Sequence, residues 1–461
     1  MKNTRHEHQP IAECADPWQA VDDMKCPAEF DVYARLFAWL RANAGEIGSI
    51  AVAQDGNSRG LVANTDIARG SRILYVPANL FVTLHAAKRA RAGVALEPIA
   101  SCLNARSILA THLIFSRRAI NNGHAYLDVL PPSFDTHPVI CSEQSFAALA
   151  NTGASQYAAA IRETIDEDYR RIADHLSPEE RFDRSEFGWA FCNVLTRCFL
   201  RTTDPGGMNL VMVPVLDLTN HSAQPNCTGH FSSEGHHLEA LTDIVRGEEL
   251  TISYGANGND KLLALWGFCL DENPEKRAWL SAPAITDELV SFVVASGRRS
   301  DRLQIRAAHL APGYAAPEVQ AFFGFLRCRQ THPFESDWPK AECAHSYLQP
   351  ASRINEIGAL RDFLAACDAR AALIRANVAS TPDQHLARMA ALAVQDELEA
   401  LSGFRRMAEF AIKVLETDDA ELAWAALLGI ADDAYVTALR SSWGKLWPTF
   451  DASGPRGARS A

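Results

Sequence analysis

The sequence predicts an α+β fold in which a β-rich domain carries a long helical insertion and an all-α domain follows. Three patterns of the 461-residue chain predict this class. Short apolar runs bounded by turn residues occur near 50–77 and 210–254, as in β-strands. Apolar residues at helical spacing fill about 95–200, and they return beyond about 285.

The N-terminal β-rich region can be assigned element by element. A first amphipathic helix is indicated by apolar residues at helical spacing, namely Phe30, Tyr33, Phe37 and Leu40. A strand at 50–53, turn chemistry at 55–60 and an extended segment at 61–63 follow. A turn ending at Gly70 then leads into a strand at 72–77.

A near copy of that last turn recurs far downstream. Residues 66–70 (DIARG) precede the strand at 72–77, and residues 243–247 (DIVRG) precede the extended segment 250–254. The two segments are either copies of one repeat or two separate glycine turns that each feed a short strand. We favour the second interpretation.

Apolar residues at i, i+3 and i+4 indicate the helical regions. They cover about 102–118, 143–176 and 184–200, with a break at Leu130-Pro131-Pro132. In the C-terminal third the stripes are Ile357, Leu360, Leu364 and Cys367, then Val394, Leu398, Leu401 and Phe404. The predicted domains are 29–280, with an insertion at about 95–200, and 285–450, with disordered ends at 1–28 and 451–461.

The composition excludes some classes of function. The formal net charge is -12, whereas a nucleic-acid binder needs a basic face. The 11 cysteines form no CxxC pair, and the closest two, Cys192 and Cys198, fall in a helical segment. This favours reduced thiols in a cytosolic compartment. With no apolar core of a signal peptide and no run near ~18 apolar residues, we expect a cytoplasmic protein that binds neither membrane nor nucleic acid.

A polar cluster follows the apolar run 210–216. Asp217, Asn220 and His221 lie where a strand leaves the core, a common place for a site, although a capped turn gives the same pattern. Three more histidines follow, His230, His236 and His237. Their spacing matches no zinc signature such as HExxH, and no cysteine pair supports them. We therefore expect no metal, and we interpret 231–237 as a solvated hairpin loop.

The order of motifs along the chain is more specific than any one of them. The motifs are SRGLVA at 58–63, VP at 76–77, LTRCF at 195–199, NHSAQPN at 220–226, GEELTISYG at 247–255 and LALWGF at 263–268. Together they closely resemble the SET domain, in the subgroup of the Rubisco large-subunit methyltransferase. The resemblance covers roughly 30–450 and is only architectural in the C-terminal third.

This resemblance implies a fold, a cofactor and residue roles. Residues 29–280 would form the SET catalytic domain, with its knot-like crossing, and 285–450 a helical substrate-binding domain. The implied ligands of S-adenosylmethionine are Arg59, Gly60, Asn79, Phe81, Arg197, Asp217, Asn220, His221 and Tyr254. Among them, Arg197 would pair with the cofactor carboxylate, and Tyr254 would be the catalytic tyrosine.

The chemistry of methyl transfer is consistent with such a site. Displacement at a sulfonium requires neither a metal nor a covalent enzyme intermediate, so positioning and well-placed oxygens supply the acceleration. A lysine acceptor must also lose a proton, which costs roughly 4 to 5 kcal/mol at pH 7. An aromatic channel beside a cationic cofactor lowers that cost, and Phe199 and Trp266 are predicted to line it. We expect a monomer that methylates a lysine of a protein substrate.

Two departures from the family pattern qualify this expectation. The family usually has tyrosine where this chain has Trp266, so the number of methyl groups added stays open. The cysteine-rich post-SET zinc cluster of histone-directed enzymes is also missing, which weakens a histone assignment.

Three competing hypotheses stay open. A close branch of the subgroup methylates a histidine in actin, but Cys198-Phe199 after Arg197 is closer to the lysine-directed pattern. A second hypothesis is a non-catalytic SET-like binding module that recognises a partner without turnover. A third is a metal hydrolase built on Asp217, His221 and His236.

Overall fold

The computed structural model describes residues 30–55, 58–119, 124–204, 207–280, 291–292, 295, 308–310, 317–331, 341–376, 383–430 and 433–448. The chain divides into two compact units, Met1–Phe134 with Glu163–Ala256, and Asp135–Arg162 with Asn257–Ala461. The two predicted disordered ends, 1–28 and 451–461, lie outside the described residues. None of the described helices is long and apolar enough to cross a membrane.

Three small sheets form the β-rich part of the first unit. Its strands are β1 (Glu46–Ile47), β2 (Ile50–Asp55), β3 (Ser58–Ala63), β4 (Arg72–Pro77), β5 (Val82–Thr83), β6 (Cys198–Asp204), β7 (Gly207–Met212), β8 (Asn220–His221), β9 (Cys227–Phe231), β10 (Gly235–Ala240) and β11 (Glu249–Ile252). The sheet orders are β1-β4-β10-β9, β2-β3-β11-β8 and β5-β7-β6. Because β3 pairs with β11 and β4 with β10, the two β-rich ends of the sequence form one structure.

The two similar glycine turns pair with each other. Ile67 and Ile244 exchange backbone hydrogen bonds of 2.8 and 2.9 Å. Gly70 and Gly247 close the turns with φ of +78° and +86°, a region that glycine enters without steric penalty. Each turn feeds a strand, as predicted, but the two are also joined to each other, which the sequence interpretation did not anticipate.

Two aspartates complete this joint with approximate two-fold symmetry. The backbone N–H of Arg69 donates to Asp243 Oδ1, and that of Arg246 donates to Asp66 Oδ1, each over 2.8 Å. The same residue type therefore satisfies the same backbone donor in both turns. The joint lies between the strand pairs β3–β11 and β4–β10, and so helps to hold the two β-rich segments of the chain together.

Helices fill the interval between the β-rich ends and most of the second unit. They are α1 (Phe30–Ala42), α2 (Leu84–Arg89), α3 (Arg91–Leu96), α4 (Ala105–Ala119), α5 (Glu143–Ala147), α6 (Gly153–His175), α7 (Arg184–Arg197), α8 (Asn259–Trp266), α9 (Pro317–Thr331), α10 (Ala341–Ser346), α11 (Arg353–Arg375), α12 (Gln384–Glu416), α13 (Ala420–Leu428), α14 (Ala434–Ser441) and α15 (Trp443–Leu446). Asp183 is the N-cap of α7, and its carboxylate accepts from the N–H of Glu186 over 2.7 Å.

Two local predictions were wrong. The helix predicted to 200 ends at Arg197, and Cys198 begins β6, because pairing with β7 satisfies the backbone that apolar spacing alone assigned to a helix. The predicted solvated loop at 231–237 is a hairpin whose second strand already begins at Gly235. His236 therefore lies in β10 and is only 2% exposed.

In the second unit, the two predicted apolar stripes lie on α11 and α12 and pack into one core. Leu360, Cys367 and Leu401 are fully or almost fully buried there. The interior also holds an ion pair between Arg327 and Glu356, both side chains 0% exposed. A short strand pair, β12 (Ala278–Leu280) with β13 (Ala308–Leu310), interrupts the region that was expected to be almost wholly helical.

Candidate active site

The site begins where β8 and β11 lie side by side in the first unit. The two short strands pair in parallel, with Asn220 opposite Thr251 and His221 opposite Ile252. This register sets the Asn-His segment beside the strand that leads into Tyr254. Two motifs that are about thirty residues apart in the sequence are therefore adjacent in space.

Asn220 ties three elements together. Its amide nitrogen donates to the carbonyl of Arg59 over 2.9 Å and to Glu249 Oε1 over 2.7 Å. A Cβ atom at Gly60 would collide with the Glu249 carboxylate and approach the Asn220 amide nitrogen to 2.9 Å. Gly60 is therefore required for close packing of β3 against these side chains. Both amide hydrogens of Asn220 have protein partners, so this side chain acts mainly to fix the local backbone.

His221 supports Tyr254 directly. The backbone N–H of Tyr254 donates to His221 Nδ1 over 3.0 Å, and the two rings stack with centroids 5.2 Å apart. Nδ1 also lies 3.4 Å from the carbonyl oxygen of Ile252, but in the shorter contact it accepts from Tyr254, and this contact requires a neutral ring. Burial lowers the pKa of His221, which favours this neutral form.

The Tyr254 hydroxyl is held by a backbone carbonyl. Its O–H donates to the carbonyl oxygen of Thr219 over 2.7 Å. Burial raises the pKa of Tyr254 to about 12, although the nearby Arg197 cation opposes the shift. The phenol therefore keeps its proton at neutral pH and turns its oxygen lone pairs away from Thr219.

A buried ion pair lies next to this tyrosine. Arg197, the last residue of α7, donates from Nη1 to the carbonyl oxygen of Asp217 over 2.9 Å and to Asp217 Oδ2 over 3.1 Å. The two side chains are 11% and 1% exposed. Burial alone would lower the pKa of Arg197, but the Asp217 carboxylate and the nearby Tyr126 raise it, so the guanidinium stays charged.

The turn that carries Asp217 is conformationally strained. Val215, two residues earlier, has φ of +70° and ψ of -47°, a conformation that β-branched residues rarely adopt. Its side chain is 0% exposed, so packing holds it in place. Such outliers typically cost about 1–3 kcal/mol and cluster at functional sites. The strain sets the direction in which Asp217 leaves the apolar run.

A second arginine faces the same cluster. Arg59 Nη1 donates to the hydroxyl of Tyr33 over 2.8 Å and to the carbonyl of Val129. Burial lowers the pKa of Arg59, and the positive charge of Arg197 lowers it further. Two guanidinium groups therefore lie near the carboxylate of Asp217, and Glu249 adds a second carboxylate beside Asn220.

Three polar atoms of this cluster are buried without a hydrogen-bond partner in the described part of the chain. They are Arg59 Nη2, Arg197 Nε and Asp217 Oδ1. Buried polar groups are almost always paired in proteins, so a cluster of such exceptions indicates a place for a ligand. Two N–H donors and one carboxylate oxygen match a zwitterionic α-amino acid, whose carboxylate would accept and whose ammonium would donate.

The remaining predicted site residues lie elsewhere. Asn79, in the 3₁₀ turn Ala78–Leu80, is exposed, whereas Phe81 is 7% exposed. Phe81 and Phe199 each make an edge contact with Phe231, with centroids 6.0 and 6.3 Å apart. Trp266 is the half-buried last residue of α8 in the second unit. Their contribution to a cofactor site or a lysine channel therefore stays a prediction.

His236 and His237, two of the histidines considered for a metal, make aromatic contacts in the sheet. His236 makes an edge contact with Phe231 at 4.6 Å, and His237 stacks on Tyr75 at 4.6 Å. Burial, followed by the neighbouring His237, lowers the pKa of His236 to about 4. Across the described ranges, no group of three or more His, Cys, Asp or Glu residues could hold a metal ion.

Sequence reasoning missed four supports of this site. Each support is a hydrogen bond: Tyr126 bonds to Asp217, and Tyr33 bonds to Arg59. Glu249 accepts from Asn220, and the Thr219 carbonyl accepts from Tyr254. Glu249 and Thr219 lie inside or beside the motifs that were recognised, so their position offered a signal. Tyr126 lies 91 residues from Asp217, and no local pattern linked the two.

Comparison with known proteins agrees with this geometry. The SET domain family matches residues 58–255. The actin-histidine N-methyltransferase of Mus musculus is 28% identical over 264 residues, which are 54% of this chain and 44% of that protein. SET domain-containing protein 4 of Homo sapiens is 27% identical over 296 residues, 59% of this chain and 64% of that protein. The chain thus spans less than two thirds of the length of these curated relatives.

Solved structures extend the likeness over most of the chain. The SET domain of LSMT bound to lysine and AdoHcy aligns with a TM-score of 0.63 at 18% identity, over 83% of this chain and 92% of that one. Rubisco LSMT bound to AdoMet aligns with a TM-score of 0.62 at 18% identity, over 87% and 97%. The predicted α+β class is confirmed by these alignments. Residues 58–255 therefore match the SET domain family, and the chain has the fold of the Rubisco LSMT structures.

Proposed function

We propose that this protein is an S-adenosylmethionine-dependent protein methyltransferase that transfers methyl to a lysine side chain of a protein substrate. The observation that carries the proposal is the set of three unpartnered buried atoms on Arg59, Arg197 and Asp217. They suit the carboxylate and ammonium of the amino-acid end of this cofactor. The SET domain match and the AdoMet named with a structural neighbour support the same assignment.

Bound S-adenosylmethionine would supply an electron-poor methyl group on a sulfonium. The chain's part is to hold that group in line with the acceptor and to set oxygens around it. The Tyr254 hydroxyl suits this role because Thr219 fixes its direction and because it remains a neutral phenol. His221 contributes indirectly, by fixing the backbone N–H and the ring plane of Tyr254.

A lysine acceptor is favoured by the surroundings of Arg197. A lysine must become neutral before it attacks, and the positive charge of a bound sulfonium would disfavour its ammonium form. The residue after Arg197 is Cys198, whose pKa burial raises to about 12. It is a neutral, weakly polar thiol that gives little hydrogen bonding to orient an imidazole. Phe199, which packs edge-on against Phe231, is the candidate from the first unit for an aromatic wall of the channel.

Histidine is the second candidate acceptor. The curated relatives named above include actin-histidine N-methyltransferases that are 28% identical to this chain. An imidazole is already largely neutral at pH 7, so it needs orientation rather than deprotonation. A non-catalytic binding module is the candidate from another class, and only turnover distinguishes it from an enzyme.

Two measurements test the proposal. Isothermal titration calorimetry should give saturable 1:1 binding of S-adenosylmethionine. Incubation with methyl-labelled cofactor and a cell lysate should then put label on protein, with the cofactor and boiled enzyme as the control. Binding without any label transfer would support a binding module. Absence of cofactor binding, with a stoichiometric metal in the purified protein, would support a hydrolase.

A further inference from the structure

We propose that Tyr126 is a positioning residue that keeps one oxygen of Asp217 available for the α-ammonium group of the cofactor. This inference rests on the proposed function. Tyr126 lies just before the 3₁₀ turn Leu127–Val129 and belongs to none of the recognised motifs. Its hydroxyl contacts the site through the carboxylate of Asp217, so its role is indirect.

The geometry gives the two oxygens of Asp217 different surroundings. Oδ2 accepts the hydroxyl of Tyr126 over 2.7 Å and Nη1 of Arg197 over 3.1 Å. Oδ1 is buried and has no hydrogen-bond partner in the described part of the chain. Tyr126 is 0% exposed, so its hydroxyl has no access to water as an alternative partner. Oδ2 of Asp217 thus has two hydrogen-bond partners, whereas Oδ1 has none among the described residues.

A carboxylate beside an arginine would ordinarily be engaged on both oxygens. The guanidinium fork matches a carboxylate in a bidentate pair, and this geometry is the stronger one. The Arg197–Asp217 pair is instead single-sided, since Nη1 reaches Oδ2 and the backbone carbonyl while Nε stays unpartnered within the described ranges. The Tyr126 hydroxyl occupies the position around Oδ2 that holds the carboxylate in this orientation.

Loss of the Tyr126 hydroxyl removes that restraint. The carboxylate can then rotate until Oδ1 turns toward Arg197, which removes the acceptor that the ammonium of a ligand would use, while Arg59 Nη2 stays available to the ligand carboxylate. A hydrogen bond to a charged group is worth enough to change binding by roughly 10- to 100-fold. The loss of affinity should come from the contact with the ammonium group of the ligand, and the contacts with its adenosine should be unchanged.

The test compares two ligands and three proteins by competitive calorimetry. The ligands are S-adenosylhomocysteine and its analogue that lacks the α-amino group. The proteins are the wild type, Tyr126→Phe and Tyr169→Phe. Tyr169 is a matched control in the first unit, because its hydroxyl donates to the carbonyl of Phe182 over 3.3 Å and not to the site.

We expect Tyr126→Phe to lower the affinity for S-adenosylhomocysteine by about 10- to 100-fold, and the affinity for the deamino analogue by less than about threefold. The preference of the wild type for the amino-bearing ligand should therefore collapse in this variant and persist in Tyr169→Phe. Equal weakening of both ligands would indicate a merely structural role and overturn the inference, as would unchanged affinities. Failure of the wild type to bind S-adenosylhomocysteine would instead overturn the proposed function.

Discussion

Tyr254 donates its hydroxyl to the backbone carbonyl of Thr219 over 2.7 Å, and Thr219 is the residue that precedes the Asn-His segment. The proposed catalytic oxygen is therefore fixed by the same stretch of chain that carries Asp217, Asn220 and His221. Because the hydrogen of the phenol is committed to Thr219, only its lone pairs are available to an electron-poor group. This one hydrogen bond therefore sets the position of the Tyr254 oxygen relative to the proposed cofactor-binding residues.

Removal of the Tyr254 hydroxyl should separate catalysis from binding. We expect Tyr254→Phe to retain the affinity for S-adenosylmethionine within a few-fold, because the ring still stacks on His221. Turnover should fall by at least ~100-fold, the effect of losing one positioned transition-state group. Calorimetry and single-turnover methyl transfer measure the two quantities. Methyl transfer at the wild-type rate would refute the catalytic role of Tyr254.

Replacement of Arg197 should act on cofactor binding. Arg197→Ala would also leave the Asp217 carboxylate buried without its cation, which typically costs about 3–5 kcal/mol of stability. Arg197→Lys is the sharper variant, because it keeps the charge and loses Nε and the planar fork. We expect it to lower the affinity for S-adenosylmethionine by at least ~10-fold, while thermal unfolding shows that the protein is folded. Undiminished affinity of Arg197→Lys would contradict the assignment.

The joint between the two glycine turns predicts equal effects at symmetric positions. Asp66→Ala and Asp243→Ala each remove one side-chain acceptor of a backbone N–H, so each should destabilise the protein by about 1 kcal/mol. Urea denaturation measures both, with Asp174→Ala, an exposed position on α6, as the control. If either variant is as stable as that control, the joint does not stabilise the contact between the two β-rich segments.

A buried carboxylate in the second unit predicts a pH dependence of stability. Asp396 is 6% exposed, and burial raises its pKa from 3.8 to about 6, while Asn259 donates to it over 2.7 Å. The folded state therefore binds the proton more tightly than the unfolded state. The resulting stabilisation is complete below about pH 4 and is lost as the pH rises to about 6.

Asp396→Asn should abolish this dependence, because an amide stays neutral and still accepts from Asn259. After discounting for solvent screening, we expect the variant to be more stable than the wild type by about 1–2 kcal/mol at pH 7.5 and equal to it near pH 4. Denaturation at both pH values measures the difference, with Asp418→Asn, whose side chain is fully exposed, as the control. A constant difference between variant and wild type at the two pH values would exclude Asp396 as the titrating group.

Local patterns predicted most elements, because turn residues and apolar periodicity are local. The strands at 50–53 and 72–77 and the helix from Phe30 were correct. The helix end was misplaced because Cys198, Phe199 and Leu200 continue an apolar pattern, and only the distant partner β7 makes them a strand. Pairing between remote segments is a tertiary effect that single-sequence periodicity does not contain.

The same limit applies to the site. The motifs predicted that Arg59, Arg197, Asp217, Asn220, His221 and Tyr254 would meet, and the structure brings them together. They did not predict which groups pair with each other inside the protein. The Arg197–Asp217 pair, the strained Val215 and the link to Tyr126 all depend on how the helical insertion returns to the sheets.

The most direct test of the central claim is mass spectrometry of a lysate after incubation with the purified protein and deuterated-methyl S-adenosylmethionine. We predict deuterated methyl groups on lysine side chains of one or a few proteins, and at least ~100-fold less label with Tyr254→Phe. Label confined to histidine would contradict the lysine assignment. Label that is absent with the wild type, or equal with Tyr254→Phe, would contradict methyl transfer at this site.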